Sequence, residues 1–428
     1  MLVVSKCNII SNSNNYLTIY NTLHCNISRF AGPAKECVES IINSCNYKEI
    51  NEFDPMVSFL KAKGYLISAQ ENENETILHK KEEVEENSGQ LFLTIYVTED
   101  CNFRCKYCPE VSRPNSITVQ TQKHIIKFLN DVLPQYKTLV IAWFGGEPLL
   151  ELETIISLSS KIKEICSKYK VIYSATITTN GYNLDSVKIE KLVRCNIFTY
   201  CISIDGIQEV HDFQRPLRSG DGTWQTIINN MIDIKDNVKS FLFRIIMRTN
   251  VTTAFLSSSQ DYLRILEETF SNDKRFWFMW KKAEDWGNIE DENLKLLCSR
   301  SDFINFLKAL NKSNIKNNVP LLPQSFRDSV CEGFIRNALV IFPEGRVSKC
   351  SRDVSPEITT LGMTSDLVCH PERFLSYKLS MRGRDTCVKC GNYYHCFGLG
   401  CPMENTECYL KGDYLRELIG AIPCECIY

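Results

Sequence analysis

The chain has 428 residues and a formal net charge of −2, and 44% of its residues are hydrophobic. This length suits two or three domains with sizeable cores, and the balanced charge gives no electrostatic reason to expect nucleic acid as a partner. No run of about 18 apolar residues predicts a membrane-spanning helix, and the N-terminus is too short and too polar for a signal peptide. We therefore expect a soluble, cytoplasmic protein without a membrane partner.

Residues 1–85 are predicted to form a small, separate α+β module of winged-helix-like type. A strand pattern comes first, and the apolar residues of Val38–Cys45 then recur at helical spacing. Asp54 is a candidate N-cap for a second helix, with Pro55 at its first position. The polar, charged segment 67–89 is predicted to be a linker to the next domain.

Residues 86–300 alternate between strand and helix patterns. Strands are predicted at Leu91–Val97, Leu139–Trp143, Val171–Ile177, Thr199–Ile204, Leu242–Met247 and Arg275–Trp280. Helices are predicted at Thr118–Leu133, Leu152–Lys168, Ser186–Val193, Thr223–Ile234 and Gln260–Phe270. Six βα repeats indicate an α/β fold with a parallel sheet, a partial (β/α)6 barrel, because the two further strands of a complete barrel are not evident.

Residues 301–428 begin with a predicted helix at Ser301–Leu310 and then become rich in cysteine. The chain has 21 cysteines, and ten of them lie between Cys331 and Cys426. In a large chain expected in the cytoplasm, this excess indicates metal or redox chemistry rather than disulfides. Eight isolated cysteines sit mostly in apolar sequence and are predicted core thiols: Cys7, Cys25, Cys37, Cys45, Cys166, Cys195, Cys201 and Cys298.

Three further cysteines, Cys101, Cys105 and Cys108, form a cysteine triplet with the spacing C-x3-C-x2-C. The triplet directly follows the first predicted strand of the parallel sheet, and ligands bind at that edge of such sheets. Three thiolates would hold a four-iron cluster and leave one iron open, which is typical of a catalytic site. Three unrelated thiols and a zinc site are the alternatives, and His124 is the nearest histidine for zinc.

The segment "CNFRCKYC" resembles the signature of radical S-adenosylmethionine (radical SAM) enzymes. The resemblance implies that the cysteine triplet holds a [4Fe-4S] cluster, whose fourth iron is chelated by the amino and carboxylate groups of SAM. It also implies that the reduced cluster cleaves SAM to a 5′-deoxyadenosyl radical, which abstracts a hydrogen atom. An external electron donor such as flavodoxin or ferredoxin is then required.

Other segments resemble the same family in the same order. The SAM-binding residues implied by the resemblance are Tyr107, Gly145, Gly146, Glu147, Pro148, Asn180, Ser203 and Arg215. In "WFGGEPLL", the glycines would permit close approach, and an exposed backbone and carboxylate would hold the SAM ammonium. Ser203 and Arg215 would contact the ribose and carboxylate, and Tyr107 the adenine side. A turn, a strand hydroxyl and simple packing are the ordinary interpretations of these segments taken singly.

The C-terminal cysteines resemble the SPASM extension of radical SAM peptide-modifying enzymes, which holds two auxiliary [4Fe-4S] clusters. The implied ligands are Cys331, Cys350 and Cys401 for the nearer cluster, and Cys387, Cys390, Cys396 and Cys408 for the farther one. The fourth ligand of the nearer cluster would be Cys369, Cys424 or Cys426, or an open iron that binds a substrate thiolate. Four residues separate Cys396 from Cys401 where the family has three, and a zinc ribbon is the alternative for the whole region.

The N-terminal module resembles the peptide-recognition elements of ribosomal-peptide maturases, in which a leader peptide adds as a strand to a sheet edge. These resemblances together predict an enzyme that crosslinks a precursor peptide through a thioether. Carbon–carbon crosslinking is the nearest alternative, and sulfatase-maturase chemistry is disfavoured because Ser351 and Arg352, not an aspartate, follow Cys350. A non-catalytic iron–sulfur electron carrier or peptide scaffold is the alternative from another class.

Overall fold

The computed structural model describes residues 1–45, 51, 53–86, 89–285, 289–310, 313–315, 318–352, 356–379, 393–397 and 412–422. Within these ranges, no helix is long and apolar enough to cross a membrane.

Fourteen strands and sixteen helices are described. The strands are β1 Leu2–Val4, β2 Asn8–Asn12, β3 Tyr16–Asn21, β4 Asn26–Ala31, β5 Leu66–Ser68, β6 Gln90–Thr98, β7 Thr138–Gly145, β8 Ile172–Thr179, β9 Ile197–Ser203, β10 Arg244–Val251, β11 Phe276–Lys282, β12 Ala338–Ile341, β13 Arg346–Ser348 and β14 Thr360–Met363. The helices are α1 Gly32–Ser44, α2 Pro55–Ala62, α3 Glu73–Glu86, α4 Val119–Val132, α5 Leu152–Tyr169, α6 Ser186–Arg194, α7 Gln208–Gln214, α8 Trp224–Asn237, α9 Thr253–Ser257, α10 Ser259–Thr269, α11 Arg300–Leu310, α12 Pro356–Thr359, α13 Thr364–Cys369, α14 Pro371–Ser376, α15 Tyr393–Cys396 and α16 Gly412–Ala421.

The six predicted strands of the central region are confirmed as β6 to β11. They pair in parallel and in chain order, with helices α4 to α10 between them. Side chains on β7 alternate between buried and half-buried, and Leu139, Ile141 and Trp143 are completely buried in the main core. Such alternation follows from the two-residue repeat of a strand. The described strands form the partial (β/α)6 barrel that the sequence predicts.

Helix α4 shows why the predicted helices form. The Thr118 side chain accepts a hydrogen bond from the backbone N–H of Thr121, which caps the first turn. Ile125, Phe128 and Leu129 are buried in the main core at helical spacing. Capping and one apolar face therefore place this helix over the sheet between β6 and β7.

The central sheet extends beyond the six predicted strands. Strand β12 pairs in parallel with β6 on the side away from β7, and β13 and β14 follow in antiparallel order, giving nine strands. Strands β12 and β13 thus form a hairpin that belongs to the central sheet. Cys350 follows β13 closely, so this hairpin places a predicted cluster ligand next to the central sheet.

The N-terminal module contains a three-stranded antiparallel sheet in the order β2-β3-β4, and β1 pairs with β5. As predicted, the Asp54 carboxylate caps α2 by accepting hydrogen bonds from the N–H groups of Met56 and Val57. The prediction of a linker over 67–89 is wrong, because most of that segment forms α3. Its buried stripe is largely polar, and Glu73 accepts a hydrogen bond from Ser5.

Candidate active site

A cavity of about 840 Å³ lies at the carboxyl ends of the parallel strands. It collects most of the residues that the sequence predicts for the site. The lining includes Cys101, Cys105, Tyr107, Cys108, Gly145, Gly146, Asn180, Ser203 and Arg215. Clefts at this edge are where ligands bind in parallel α/β folds. The cavity is therefore the candidate active site.

All three thiols of the cysteine triplet are half-buried in the wall of the cavity. Burial raises the pKa of Cys101 and Cys108 to about 11 and that of Cys105 to about 12, while Arg215 opposes the rise at all three. The backbone N–H of Phe103 also donates a hydrogen bond to the Cys101 sulfur, at 3.4 Å. Since thiolates are the ligands of metals, binding iron here would release protons.

The described residues fit a cluster better than a single metal ion. Across the described ranges, no group of three His, Cys, Asp or Glu side chains could hold one ion. In a four-iron cluster, by contrast, each cysteine binds a different iron. His124 on α4 does not line the cavity, and its ring contacts Gln120 on the same helix at 2.6 Å and Thr364 on α13 at 3.0 Å. The structure thus gives no support to the alternative of a zinc site at the triplet.

Gly145 and Gly146 pack directly against the strand end that leads into the triplet. A Cβ atom at Gly145 would overlap the carbonyl oxygen of Thr98, and one at Gly146 would overlap that of Asp100. The N–H of Gly146 donates to Thr98 at 3.0 Å and that of Glu147 to Asp100 at 2.8 Å. Only glycine fits this approach, so the two glycines keep the cavity wall flat and backbone-lined.

We expect Gly145→Ala to lower the free energy of unfolding by about 3 kcal/mol or more, because steric overlap adds to backbone strain. Gly145 has φ +147, and the matched control Gly220→Ala changes a residue with φ +94 that has open space around its Cβ position. The control should cost only about 1 kcal/mol. Anaerobic thermal unfolding of both variants checks this, and equal losses would show that the overlap with Thr98 is unimportant.

The prediction that the Glu147 carboxylate is exposed to the ligand is wrong. Its side chain is completely buried and does not line the cavity, and neither does Pro148. Its oxygens accept hydrogen bonds from Thr179 Oγ at 2.5 Å, the Asn180 N–H at 2.6 Å and the Leu149 N–H at 2.9 Å. Glu147 therefore ties the end of β7 to the end of β8 and positions Asn180, which does line the cavity.

A buried network, not recognised from the sequence, surrounds Arg215. The Tyr107 hydroxyl donates to Asp205 and accepts from Arg215 at 2.9 Å and from Asn250 at 3.2 Å. Asp205 also accepts from the Asn250 N–H at 2.8 Å. Burial raises the pKa of Asp205, and Arg215 opposes that rise. Asp205 directly follows a buried strand, as ligand-site acids often do, and that position was the available signal.

Arg215 keeps one unused donor. Its side chain is buried, and its Nε has no hydrogen-bond partner among the described residues. Buried polar groups without partners are rare, and a ligand or an ordered water is one way in which the pairing is completed. A bound carboxylate or sulfur ligand would satisfy this donor, which fits the role in SAM binding predicted for Arg215.

Besides residues of β10 and β11, both ends of the chain contribute to the cavity wall. Tyr20 and Thr22 contribute from the N-terminal module, and Cys331, Arg352 and Phe397 from the C-terminal region. Of the other predicted cluster ligands and candidates, Cys350 and Cys369 do not line the cavity, and Cys396 ends α15. Cys387, Cys390, Cys401, Cys408, Cys424 and Cys426 lie outside the described residues.

Comparisons with known proteins agree with this site. Residues 95–253 match the sequence profile of the Radical SAM superfamily. The chain therefore contains a Radical SAM domain, and that segment includes the cysteine triplet and every residue predicted to bind SAM.

Two curated relatives are similar over parts of their length. The radical SAM cyclopropyl synthase TigE of Paramaledivibacter caminithermalis is 24% identical over 242 residues, which cover 52% of this chain and 50% of that protein. The GTP 3′,8-cyclase of Haemophilus ducreyi is 31% identical over 142 residues, which cover 33% of this chain and 39% of that protein. The chain thus spans half or less of the length of these relatives.

A solved structure, native anSMEcpe with bound AdoMet and Kp18Cys peptide, has a TM-score of 0.61 to this chain and 19% sequence identity. The superposition covers 78% of this chain and 96% of that one. At this identity the likeness concerns the fold, and it extends well beyond the Radical SAM domain.

Proposed function

We propose that this chain is a radical SAM oxidoreductase that modifies a ribosomally made precursor peptide by forming a thioether between a cysteine sulfur and a carbon atom. The observation that carries the proposal is the composition of the cavity. The cavity combines the cysteine triplet, the two glycines and Arg215 with residues from outside the matched segment 95–253, such as Tyr20, Lys281 and Cys331. Its volume of about 840 Å³ lies high in the range of roughly 300–1,000 Å³ for ligand sites.

The described residues would have distinct roles around SAM. The triplet would hold a [4Fe-4S] cluster, which when reduced would supply the electron for the cleavage of SAM. Gly145 and Gly146 let the ligand approach the backbone, while Ser203 and Arg215 face its ribose and carboxylate. The Tyr107 hydroxyl is already bonded to Asp205, so its ring is left to contact the adenine side. A flavodoxin or ferredoxin in the cytoplasm would deliver the electron.

A peptide substrate is supported by the way the N-terminal module meets the cavity. Its sheet has the order β2-β3-β4, so β2 and β4 are edge strands to which a leader peptide could add. Tyr20 on β3 and Thr22 just after it line the cavity. A leader peptide held on this sheet would therefore place the segment that follows it, which is the part to be modified, close to the site. The solved structure of anSMEcpe contains a peptide together with AdoMet.

Auxiliary [4Fe-4S] clusters complete the proposal. Cys331 lines the cavity, and Cys350 follows the hairpin that joins the core sheet. A cluster near these residues would accept the surplus electron of the oxidation, or would bind the substrate thiolate through an open iron. Two auxiliary clusters and the SAM cluster together require about twelve irons per chain.

Co-expression with a candidate precursor peptide, encoded by a short open reading frame found beside the gene, tests the proposal. We expect the encoded peptide to lose two hydrogen atoms per crosslink, and each thioether to remove one thiol from iodoacetamide labelling. The variant with the triplet replaced by alanine is the control and should leave the peptide unchanged. A mass loss with every thiol still labelled would favour carbon–carbon crosslinking, whereas an unchanged mass with the active enzyme would contradict crosslinking altogether.

A further inference from the structure

A cationic cluster, defined as Arg248, Lys281 and Arg352, lines the cavity from three separate elements. Arg248 lies on β10, Lys281 on β11, and Arg352 in the loop after β13. Lys281 stands opposite Asn250 in the parallel register of β10 and β11. Because strand side chains alternate, Arg248 and Asn250 share one face, and the Arg248 Nε donates to Asn250 at 3.1 Å. The sheet therefore brings Arg248 and Lys281 together on the cavity side.

The three cations stand close enough to influence one another. Burial, followed by the charges of Arg248 and Arg352, lowers the pKa of Lys281, although its side chain is accessible from the cavity. Like charges gathered on a partly desolvated wall repel each other, and a bound anion relieves that repulsion. The arrangement therefore favours a negatively charged ligand.

The carboxylates that line the same cavity have partners of their own. Glu284 lies 3.0 Å from the Lys282 ammonium, Asp328 accepts from the Ser325 N–H at 2.9 Å, and Glu110 accepts from the Tyr96 hydroxyl at 3.3 Å. These acidic side chains would repel a polyphosphate more strongly than a single carboxylate, because a polyphosphate carries more negative charge. Guanidinium groups also match the planar geometry of a carboxylate.

We propose that the cationic cluster binds the side-chain carboxylate of an aspartate or glutamate in the peptide substrate. The proposal rests on the function proposed above and specifies its substrate class, a peptide with an acidic residue beside the reacting position. Arg248 also stands opposite Ser203 in the register of β9 and β10. The acidic residue would thus be held next to the SAM side of the cavity. This would fix the position of the C–H bond of the neighbouring substrate residue.

Binding of a matched pair of small probes tests this assignment without any need for turnover. The probes are N-acetyl-glutamate N-methylamide and its glutamine counterpart, each measured by anaerobic equilibrium dialysis against the full-length, iron-loaded enzyme with SAM. We expect the glutamate probe to bind about tenfold tighter or more, since a charge-assisted hydrogen bond in a shielded site has roughly that effect. Lys281→Met should remove the preference.

Lys282→Met is the matched control, because it removes the same charge one residue away from a side chain already paired with Glu284. It should keep the preference for glutamate. Equal binding of both probes, an unchanged preference in Lys281→Met, or an equal loss in Lys282→Met would overturn the assignment. Tighter binding of GTP than of the glutamate probe, or a loss of SAM binding in Lys281→Met, would assign the cluster to phosphate or to SAM instead. Failure of peptide crosslinking would show separately, in the mass of the co-expressed peptide.

Discussion

Replacing the whole cysteine triplet with alanine is expected to remove about four irons per chain and to abolish SAM cleavage, because the only proposed SAM-binding cluster loses all its protein ligands. The three thiols share one cavity, and no group of His, Cys, Asp or Glu in the described ranges is arranged to hold a single metal ion. Iron analysis and electron paramagnetic resonance of the dithionite-reduced protein, with and without SAM, measure the effect.

Cys37→Ala provides the control for this variant, because Cys37 on α1 does not line the cavity and is exposed, so the core position predicted for it is wrong. It should retain the full iron content and the change that SAM causes in the cluster spectrum. A triplet variant that keeps a SAM-sensitive spectrum would place the cluster on other cysteines. The auxiliary clusters are expected to remain in the triplet variant, with about eight irons.

Arg215→Met is expected to weaken SAM binding strongly and to lower the free energy of unfolding by about 3–5 kcal/mol, because it leaves a buried carboxylate without its cation. Arg215 Nη1 lies 3.8 Å from the completely buried Asp205, and its guanidinium faces all three thiols of the triplet. Equilibrium dialysis of SAM measures the loss of binding, and anaerobic thermal unfolding measures the loss of stability.

Two further variants separate the roles of Arg215. Adding Asp205→Asn to Arg215→Met should restore much of the lost stability but not the SAM affinity, since the amide needs no cation whereas the ligand still does. Arg218→Met breaks an exposed pair with Asp100, in which the arginine is 52% exposed, and should change stability by less than about 1 kcal/mol. Recovery of SAM binding in the double variant would show that Arg215 acts only through folding.

The sequence predicted the central sheet well because its signal is local. Each strand of β6 to β11 is a short apolar run followed by a helix with one apolar face, and Thr118 even marks the start of α4. Local patterns do not reveal which distant segment completes a sheet, so the position of β12 beside β6 was not foreseen. Likewise, α3 buries polar side chains that only its tertiary partners explain, and its composition suggested a linker.

At the candidate site, too, local sequence patterns were informative and contacts between distant segments were not predicted. Spacing and the preceding strand identified the cysteine triplet, and the resemblance to radical SAM enzymes implied Gly145, Gly146 and Arg215; all of these residues line the cavity. Side-chain direction could not be read from the motif, so Glu147 was expected at the ligand although its carboxylate is turned into the core. Asp205, Asn250 and Lys281 are brought together only by strand register. No short sequence pattern carries that information.

Formation of 5′-deoxyadenosine is the most direct test of the central claim, that the cavity holds a SAM-cleaving cluster on the triplet. The full-length chain would be reconstituted without oxygen, checked for an iron load of about twelve per chain, and mixed with SAM and dithionite. We predict 5′-deoxyadenosine from this protein and none above background from the triplet variant. A fully iron-loaded chain that forms no 5′-deoxyadenosine would contradict the account and would leave an electron carrier or a peptide-binding scaffold in its place.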